Sequence, residues 1–199
     1  MTARLVLDWD GTCTEVDGLH MLLERFGDRS VYRQMEGALG DGLTLHEVIA
    51  GEIATITLPL DRGAAWVREH VTLRAGFHEL AAQHRPVIVS SGFRELIEPV
   101  LEREGVELEV VANELDARPD GWRPVWRDEA SCATCGEPCK RGVLAGTPYV
   151  YVGDGYSDRC AALAAERVFA RDGLARWLDA QGVRYEPFRD LRDVLDGLG

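Results

Sequence analysis

Short apolar runs alternate along this chain with amphipathic segments of helical period. The runs are too short for buried helices, and they stop at small or polar residues, which is typical of strands that end at the edge of a sheet. Helical segments between the runs predict parallel strands, because parallel neighbours need a crossover connection. We therefore expect an α/β protein with a doubly wound, mainly parallel, Rossmann-like sheet. Its predicted strands lie at residues 5–7, 86–89, 106–113, 149–152, 167–170 and 183–188.

The stretch between residues 15 and 75 has no strand pattern and carries four amphipathic segments instead. Thr44 and Glu47 form a predicted capping box at the start of the third segment. We predict a core domain of residues 1–14 and 76–199, with a small helical cap of residues 15–75 inserted after the first strand. The alternative is that these helices only cover one face of the sheet. The four segments lie at residues 19–26, 31–35, 45–49 and 64–69.

Two acids, Asp8 and Asp10, directly follow the first strand. Strand alternation places both carboxylates on the same side of the chain and turns Trp9 away from them. Carboxylates this close repel each other unless they share a proton or bind a divalent cation. A simpler interpretation is that the acids cap the next helix. Polar residues also end two later strands, and this recurrence favours a functional site.

The strand at 86–89 is followed by Ser90, Ser91 and Gly92. A turn there, before a helix that begins at Arg94, would offer a hydroxyl and backbone N–H groups to an anion. Taken alone this pattern is a weak signal, because the same residues make ordinary turns.

Three further charged residues, Lys140, Asp154 and Asp158, are expected at the same edge. Lys140 opens a predicted helix, and the two acids follow the strand at 149–152. Since the carboxyl ends of parallel strands meet at one edge, all these groups should converge. Acids suit a magnesium ion, serine and lysine suit phosphoryl oxygens, and an aspartate can act as a covalent nucleophile. The pattern therefore indicates phosphoryl transfer.

Together these motifs resemble, in order and spacing, those of the haloacid dehalogenase-like phosphatases. The resemblance covers nearly the whole chain, and the phosphoserine-phosphatase-like branch of that family carries a helical cap where residues 15–75 lie here. It implies an α/β core and a phosphomonoester hydrolase. The motifs are Asp8-Trp9-Asp10-Gly11-Thr12, Ser90, Lys140 and Gly153-Asp154-Gly155-Tyr156-Ser157-Asp158.

The resemblance also assigns roles to these residues. It implies that Asp8 is the nucleophile and that Asp10 is the general acid and base. Ser90 and Lys140 would bind the phosphoryl group, assisted by Ser91 and Gly92. The implied cofactor is Mg²⁺. Its candidate ligands are Asp8, the Asp10 carbonyl, Asp154 and, in a supporting place, Asp158.

Within that branch the chain looks most like the methionine-salvage phosphatases that act on 2-hydroxy-3-keto-5-methylthiopentenyl-1-phosphate. Residues 14–17, the cysteine-rich approach to Lys140 and residues 169–172 carry this similarity. It implies a small phosphorylated metabolite as substrate, with Glu15 and Asp17 as candidate specificity residues. Phosphocholine or phosphoethanolamine phosphatases, and phosphoserine phosphatases, are alternatives. The last is disfavoured because Asp17 stands where those enzymes carry a glutamate for the substrate amine.

The net charge limits the classes of binding partner that we expect. Acidic residues outnumber basic ones 34 to 22, which gives a net charge of −12, and such a field repels nucleic acids and anionic membranes. The sequence shows no apolar stretch long enough for a membrane span and no apolar signal region at its start. We expect a cytoplasmic protein that is a monomer or a homodimer.

Cys132, Cys135 and Cys139 lie close together before Lys140. A closed zinc site needs four ligands, so the fold would have to bring in Cys13 or Cys160. Packed or surface thiols are the favoured interpretation. A zinc-dependent binding module is one alternative function for the chain. A phospho-accepting signalling domain is another, but the acids after residue 152 and the helical insertion do not fit it.

Overall fold

Seven strands form one sheet in the computed structural model, which describes residues 3–199. Their order across the sheet is β4-β3-β2-β1-β5-β6-β7, and only the β3–β4 pair is antiparallel. The predicted α/β class with a mainly parallel sheet is thus confirmed. The strands are β1 (Arg4–Leu7), β2 (Val87–Phe93), β3 (Glu109–Arg118), β4 (Gly121–Val125), β5 (Tyr149–Gly153), β6 (Arg167–Ala170) and β7 (Glu186–Pro187).

Ten α-helices connect and cover these strands within residues 3–199, and a 3₁₀ turn covers Tyr156–Asp158. None of them is long and apolar enough to cross a membrane. The helices are α1 (Gly18–Phe26), α2 (Arg29–Ala38), α3 (Leu45–Ile53), α4 (Leu60–His70), α5 (Phe77–His84), α6 (Arg94–Arg103), α7 (Lys140–Val143), α8 (Arg159–Ala162), α9 (Asp172–Gln181) and α10 (Leu191–Leu198).

The central strand β1 buries side chains on both faces of the sheet. Leu7 lies in register with Ile88 of β2 and Val152 of β5, and all three belong to the larger apolar core, together with residues of α1, α3, α5, α6 and α10. Val6 lies in register with Val87 and packs on the opposite face with α8 and α9. Helices on both faces make the sheet doubly wound, so neither face of β1 needs polar residues.

Four helices, α1 to α4, occupy the stretch between Gly18 and His70, as its amphipathic pattern predicts. The predicted capping box is present: the Glu47 amide donates to the Thr44 hydroxyl, and the Glu47 carboxylate accepts from the Thr44 amide at 2.8 Å. Such a box contributes about 1 kcal/mol to the start of a helix. The division of the chain into core and cap stays a prediction.

A hairpin of β3 and β4 holds this helical stretch against the sheet. The buried Trp122 donates its indole N–H to the Leu58 carbonyl at 2.7 Å and its amide to the Ile56 carbonyl. Gly121 has φ of +133° and lies against the Ala54 carbonyl, where a Cβ atom would clash. The contacts of this hairpin therefore fix the helices over the sheet.

Two predicted strands differ from the observed ones. β3 begins at Glu109 rather than 106 and continues to Arg118, because its first half pairs with β2 and its second half with β4. The expected strand at 183–188 shrinks to the two residues of β7. It lies at the sheet edge and has one neighbour, β6, so little backbone pairing extends it.

Arg74 holds the turn after β1 and is a residue that the sequence pattern did not single out. It is buried, and its guanidinium donates to the carbonyls of Gly11 and Thr14 at 2.8 Å and of Thr12 at 3.0 Å. Burial lowers the pKa of Arg74, but a guanidinium stays charged at any physiological pH. A fixed cation thus satisfies three carbonyls of the turn that follows the two acids.

Replacing Arg74 with Met should destabilise the protein, because three carbonyls in a buried or partly buried turn lose their donors. We expect the free energy of unfolding to fall by roughly 3 kcal/mol or more. The measurement is urea denaturation followed by circular dichroism. The matched control is Arg118→Met, since Arg118 is exposed and pairs with Asp116 at the surface, and it should cost about 1 kcal/mol or less. Equal losses in both variants would contradict the role of Arg74.

Candidate active site

The predicted site residues of β1, β2 and β5 meet at the carboxyl edge of the sheet. Asp8 follows β1 and Asp154 follows β5, as expected for parallel strands, and Ser90 lies in β2 where its pairing with β3 becomes irregular. They line a cavity of about 230 Å³ between the sheet edge and helices α1 to α3. The lining residues are Asp8, Asp10, Asp17, Leu19, His20, Glu36, Leu45, Val48, Ile49, Glu52, Ser90, Ser91, Gly92, Asp154, Gly155, Tyr156 and Ser157.

Asp8 lies at the base of this cavity and is paired with a buried ammonium group. Its amide donates to the Val152 carbonyl at 2.9 Å, which fixes its backbone to β5. The Lys140 ammonium contacts one oxygen of Asp8 and also donates to Asp158 at 2.7 Å. Burial and the charge of Asp158 raise the pKa of Asp8 well above its ordinary value, although Lys140 opposes this rise. The carboxylates therefore outnumber the cation that stabilises them.

Lys140 is completely buried, which is unusual for a lysine. Burial alone would lower its pKa, but the charges of Asp158 and Asp8 outweigh this and raise it above the ordinary value. The ammonium group is therefore protonated at neutral pH and is fixed as a point charge beside Asp8.

Asp158 accepts hydrogen bonds from four donors and is the most firmly held acid of the site. Lys140 and the Tyr151 hydroxyl donate to one oxygen at 2.7 and 2.6 Å, and the amides of Asp154 and Gly155 donate to the other at 2.9 and 2.8 Å. These bonds occupy most of its acceptor capacity. Asp158 therefore orients the lysine and the turn after β5.

Asp10 connects the sheet edge to the first of the four helices. Its carboxylate accepts from the Gly18 amide at the start of α1, at 2.8 Å. Burial, followed by the negative charge of Asp17, raises the pKa of Asp10 to about 8. The rise in pKa favours the protonated carboxyl group, which is the form that a general acid needs.

The oxygens of Asp8, Asp154 and Asp158 form a group that fits a hard divalent cation. One oxygen of each lies within 4.8 Å of the others. Thr12 donates to Asp154 at 2.8 Å, while burial and the charge of Asp158 raise the pKa of Asp154 to about 6. Clustered carboxylate oxygens are the donor set that Mg²⁺ prefers. The residues present therefore fit the predicted magnesium site.

The predicted anion site differs in backbone form from the expected turn. β2 continues through Ser90, Ser91 and Gly92 to Phe93, and its pairing with β3 becomes irregular over this stretch. The Gly92 amide donates to the Ser90 hydroxyl at 2.9 Å. A turn was the wrong expectation, because pairing with β3 carries the strand past the polar residues. The irregular strand end still brings all three residues to the cavity.

The two candidate specificity residues occupy different places. Asp17 lines the cavity, and its carboxylate caps α1 by accepting from the His20 amide at 2.8 Å. Glu15 lies outside the cavity lining, is about half exposed and approaches the Arg74 guanidinium at 3.5 Å.

A cluster of His20, Glu36 and Glu52 forms the far wall of the cavity and was missed by sequence reasoning. Candidate ligand atoms of the three lie within 4.8 Å of one another. Burial would lower the pKa of His20, but Glu36 and Asp17 together raise it to about 9. Glu52 is 2% exposed, one of its oxygens has no hydrogen-bond partner within residues 3–199, and burial raises its pKa to about 7.

No local sequence motif predicts this cluster, because its members come from three different helices. His20 lies on α1, Glu36 on α2 and Glu52 on α3. A buried acid on the apolar face of α3, beside Val48 and Ile53, is the only trace in the sequence. Taken alone, it reads as an ordinary helical glutamate.

Comparison with known proteins adds a family to this geometry. The family profile of the haloacid dehalogenase-like hydrolases matches residues 5–163. A 2-hydroxy-3-keto-5-methylthiopentenyl-1-phosphate phosphatase of Exiguobacterium sp. is 26% identical, over 98% of this chain and 96% of its own length. The polyol phosphate phosphatase of Saccharomyces cerevisiae is 27% identical, over 97% of this chain and 91% of its own.

Solved structures agree on the fold. The crystal structure of the phosphoserine phosphatase from T. onnurineus has a TM-score of 0.71 at 21% identity, and the match covers 98% of this chain and 94% of that one. The profile match, the full-length relatives and the acids gathered at the end of β1 lead to one conclusion. This chain belongs to the haloacid dehalogenase-like hydrolases and is a phosphoric monoester hydrolase.

Proposed function

We propose that this phosphatase hydrolyses a small phosphomonoester with Mg²⁺, through a phosphoryl intermediate on Asp8. The observation that carries the proposal is the position of Asp8. Its carboxylate is buried at the cavity base, one oxygen is in contact with Lys140, and the residue also belongs to the acidic cluster with Asp154. The other oxygen of this carboxylate would attack phosphorus.

Mg²⁺ would be held by Asp8, the Asp10 carbonyl and Asp154, with Asp158 in support. When bound, the ion neutralises negative charge on the phosphoryl oxygens and on the attacking carboxylate. Asp158 is assigned the supporting place because four donors already occupy its oxygens. Magnesium demands short distances and six ligands, so a site of this kind keeps several water molecules.

The proposed chemistry has two steps, both centred on Asp8 and Asp10. In the first step a carboxylate oxygen of Asp8 bonds to phosphorus, the bond from phosphorus to the leaving oxygen breaks, and Asp10 gives its proton to that oxygen. In the second step Asp10 takes a proton from water, the water oxygen bonds to phosphorus, and the bond to Asp8 breaks. Phosphate leaves, and both acids return to their initial forms.

Ser90, Ser91, Gly92 and Lys140 are proposed to bind the phosphoryl oxygens during both steps. Ser90, Ser91 and Gly92 line the cavity, and the Asp10 carboxylate lies against Gly92. The Lys140 ammonium is fixed and buried next to Asp8. Donors that are already in place need no reorganisation when charge moves onto the phosphoryl group, and this lowers the barrier.

Residues 15–75 are proposed to act as a cap that closes the cavity and selects the substrate. The cap lies over the sheet edge through the contact of Asp10 with Gly18 and through the Trp122 hairpin. Exclusion of bulk water would protect the intermediate on Asp8 while one positioned water reacts.

We further propose that the substrate is a small hydroxylated or enolic phosphate, of which the methionine-salvage phosphate is the leading candidate. His20 offers a donor, while Glu36 and Glu52 offer acceptors, which suits hydroxyl groups. The relatives that act on 2-hydroxy-3-keto-5-methylthiopentenyl-1-phosphate and on polyol phosphates support this class. An amine-bearing substrate such as phosphoethanolamine is the second candidate, because the cluster is acidic. Phosphoserine is disfavoured, since no cation in the described cavity lining is free to pair with its carboxylate.

Replacing Asp8 with Asn should abolish turnover and leave the fold intact. The amide is nearly isosteric but a far poorer nucleophile. The free energy of unfolding should be unchanged or higher, because the change removes one charge from a crowded, buried group of acids. Phosphate release and thermal unfolding are the two measurements. The matched control is Asp41→Asn, since Asp41 is exposed in the turn before α3, and this variant should retain full activity. If the Asp8→Asn variant keeps more than a few per cent of the activity, Asp8 is not the nucleophile.

Replacing Glu52 with Gln should impair the choice of substrate more than the chemistry. For the best metabolite from a panel of hydroxylated phosphomonoesters, we expect kcat/KM to fall roughly 10- to 100-fold, as for loss of one hydrogen bond to a charged group. With p-nitrophenyl phosphate, which lacks hydroxyl groups at that wall, it should change little. The control is Glu104→Gln, whose partner His78 lies outside the cavity. An equal loss with both substrates would contradict a selective role for the cluster.

A further inference from the structure

The fold gathers four of the five cysteines into one group. Cys132, Cys135 and Cys139 come from the loop between β4 and α7, and Cys160 comes from α8. Their four sulfur atoms all lie within 4.8 Å of one another, and the sulfurs of Cys132 and Cys160 are 3.8 Å apart. The sequence left open which cysteine could be the fourth ligand. The structure answers that question, because Cys13 is buried elsewhere and donates its thiol to the Asp8 carbonyl.

The backbone around the first two cysteines is shaped to receive a sulfur-bound ion. The Thr134 amide donates to the Cys132 sulfur at 3.4 Å, and the Gly136 amide donates to the Cys132 carbonyl at 2.8 Å. Gly136 directly follows Cys135 and has φ of +80°, a conformation that favours glycine. An amide that points at a sulfur stabilises the thiolate form, which is the form that ligates a metal. This tight turn is independent of the sulfur distances and leads to the same conclusion.

We propose that Cys132, Cys135, Cys139 and Cys160 bind a structural zinc ion. Zn–S bonds of about 2.3 Å in a tetrahedron place sulfur atoms about 3.8 Å apart, which agrees with the separation of Cys132 and Cys160. Four thiolates fill all the positions of the ion, so it has no open site for a substrate. Thiolates select zinc over magnesium, which prefers oxygen ligands. The two metal sites of this chain therefore do not compete for the same ion.

The position of the zinc site gives it a structural purpose. Cys139 immediately precedes Lys140, and Cys160 lies two residues after Asp158. A zinc ion that joins the loop to α8 would fix the two partners of the 2.7 Å ion pair between Lys140 and Asp158. The backbone that carries the buried ammonium is otherwise the short helix α7 and an irregular loop. Loss of the ion should therefore loosen Lys140 without removing any group that touches phosphate.

Metal analysis of the purified, reduced protein tests the proposal directly. After equilibration with zinc and removal of loosely bound ions, we expect about one zinc per chain by mass spectrometry of the metal. Cys160→Ser should lower this value severely. The control is Cys13→Ser, the same chemical change at the one cysteine outside the group, which should retain the zinc. Zinc well below one per chain in the wild type, iron in place of zinc, or equal zinc in both variants would overturn the proposal.

A second variant and a second readout cover the case in which Cys160→Ser fails to fold. Cys135 is exposed, so Cys135→Ser changes no buried packing and should fold while it loses zinc. Cobalt in place of zinc should give the strong visible absorption of tetrahedral cobalt thiolates in the wild type and not in this variant. If two of the cysteines instead formed a disulfide, the unreduced protein would contain no zinc. After alkylation, mass spectrometry would then show two cysteines that had not reacted with the reagent. That result would show that the group holds a disulfide and not a metal ion.

Discussion

The buried contact of Lys140 with Asp8 and Asp158 is the interaction on which the rest of the site depends. Burying several carboxylates around one ammonium group costs free energy, and the raised pKa of Asp8 reflects this cost. The fold supports this arrangement with hydrogen bonds from Tyr151 and the amides after β5. In the proposed mechanism, a bound divalent cation would relieve the repulsion among these carboxylates.

The turn after β1 and the helices α1 to α4 must also keep their positions relative to that contact. Arg74 holds the carbonyls of the turn between Asp8 and the helices, and Asp10 accepts from the Gly18 amide at the start of α1. The Trp122 hairpin holds the same helices from the far side of the sheet edge. The zinc ion proposed for the cysteine group would hold the backbone that carries Lys140 in the same way. Each of these contacts joins residues distant in sequence, so the cavity is a product of the whole fold.

Patterns that are local in sequence were predicted well. The strand before Asp8 and the capping box of Thr44 and Glu47 both appear where periodicity and capping rules place them. The convergence of Asp8, Ser90 and Asp154 followed from one topological rule about parallel strands. These features depend on neighbouring residues or on strand direction alone, so one sequence suffices to infer them.

Features that depend on distant pairing were not predictable in the same way. β3 extends past its alternating pattern because β4 pairs with it, and the polar end of β2 stays a strand because β3 lies beside it. The His20 cluster includes residues of three helices, and Cys160 lies 28 residues along the chain from Cys132. Arg74 carries no motif, since its partners are backbone carbonyls. Sequence patterns indicate the type of chemistry, whereas tertiary packing determines which side chains lie together in the site.

Chemical trapping of the phosphorylated enzyme is the most direct test of the central claim, that Asp8 carries the phosphoryl group. Protein that is turning over substrate with Mg²⁺ is quenched in acid, reduced with borohydride and digested. An acyl phosphate on Asp8 is then converted to homoserine, which peptide mass spectrometry locates at that residue. The proposed mechanism predicts homoserine at Asp8, in larger yield for the Asp10→Asn variant because its second step lacks a base. Absence of homoserine during active turnover, or its appearance at another acid, would contradict the mechanism.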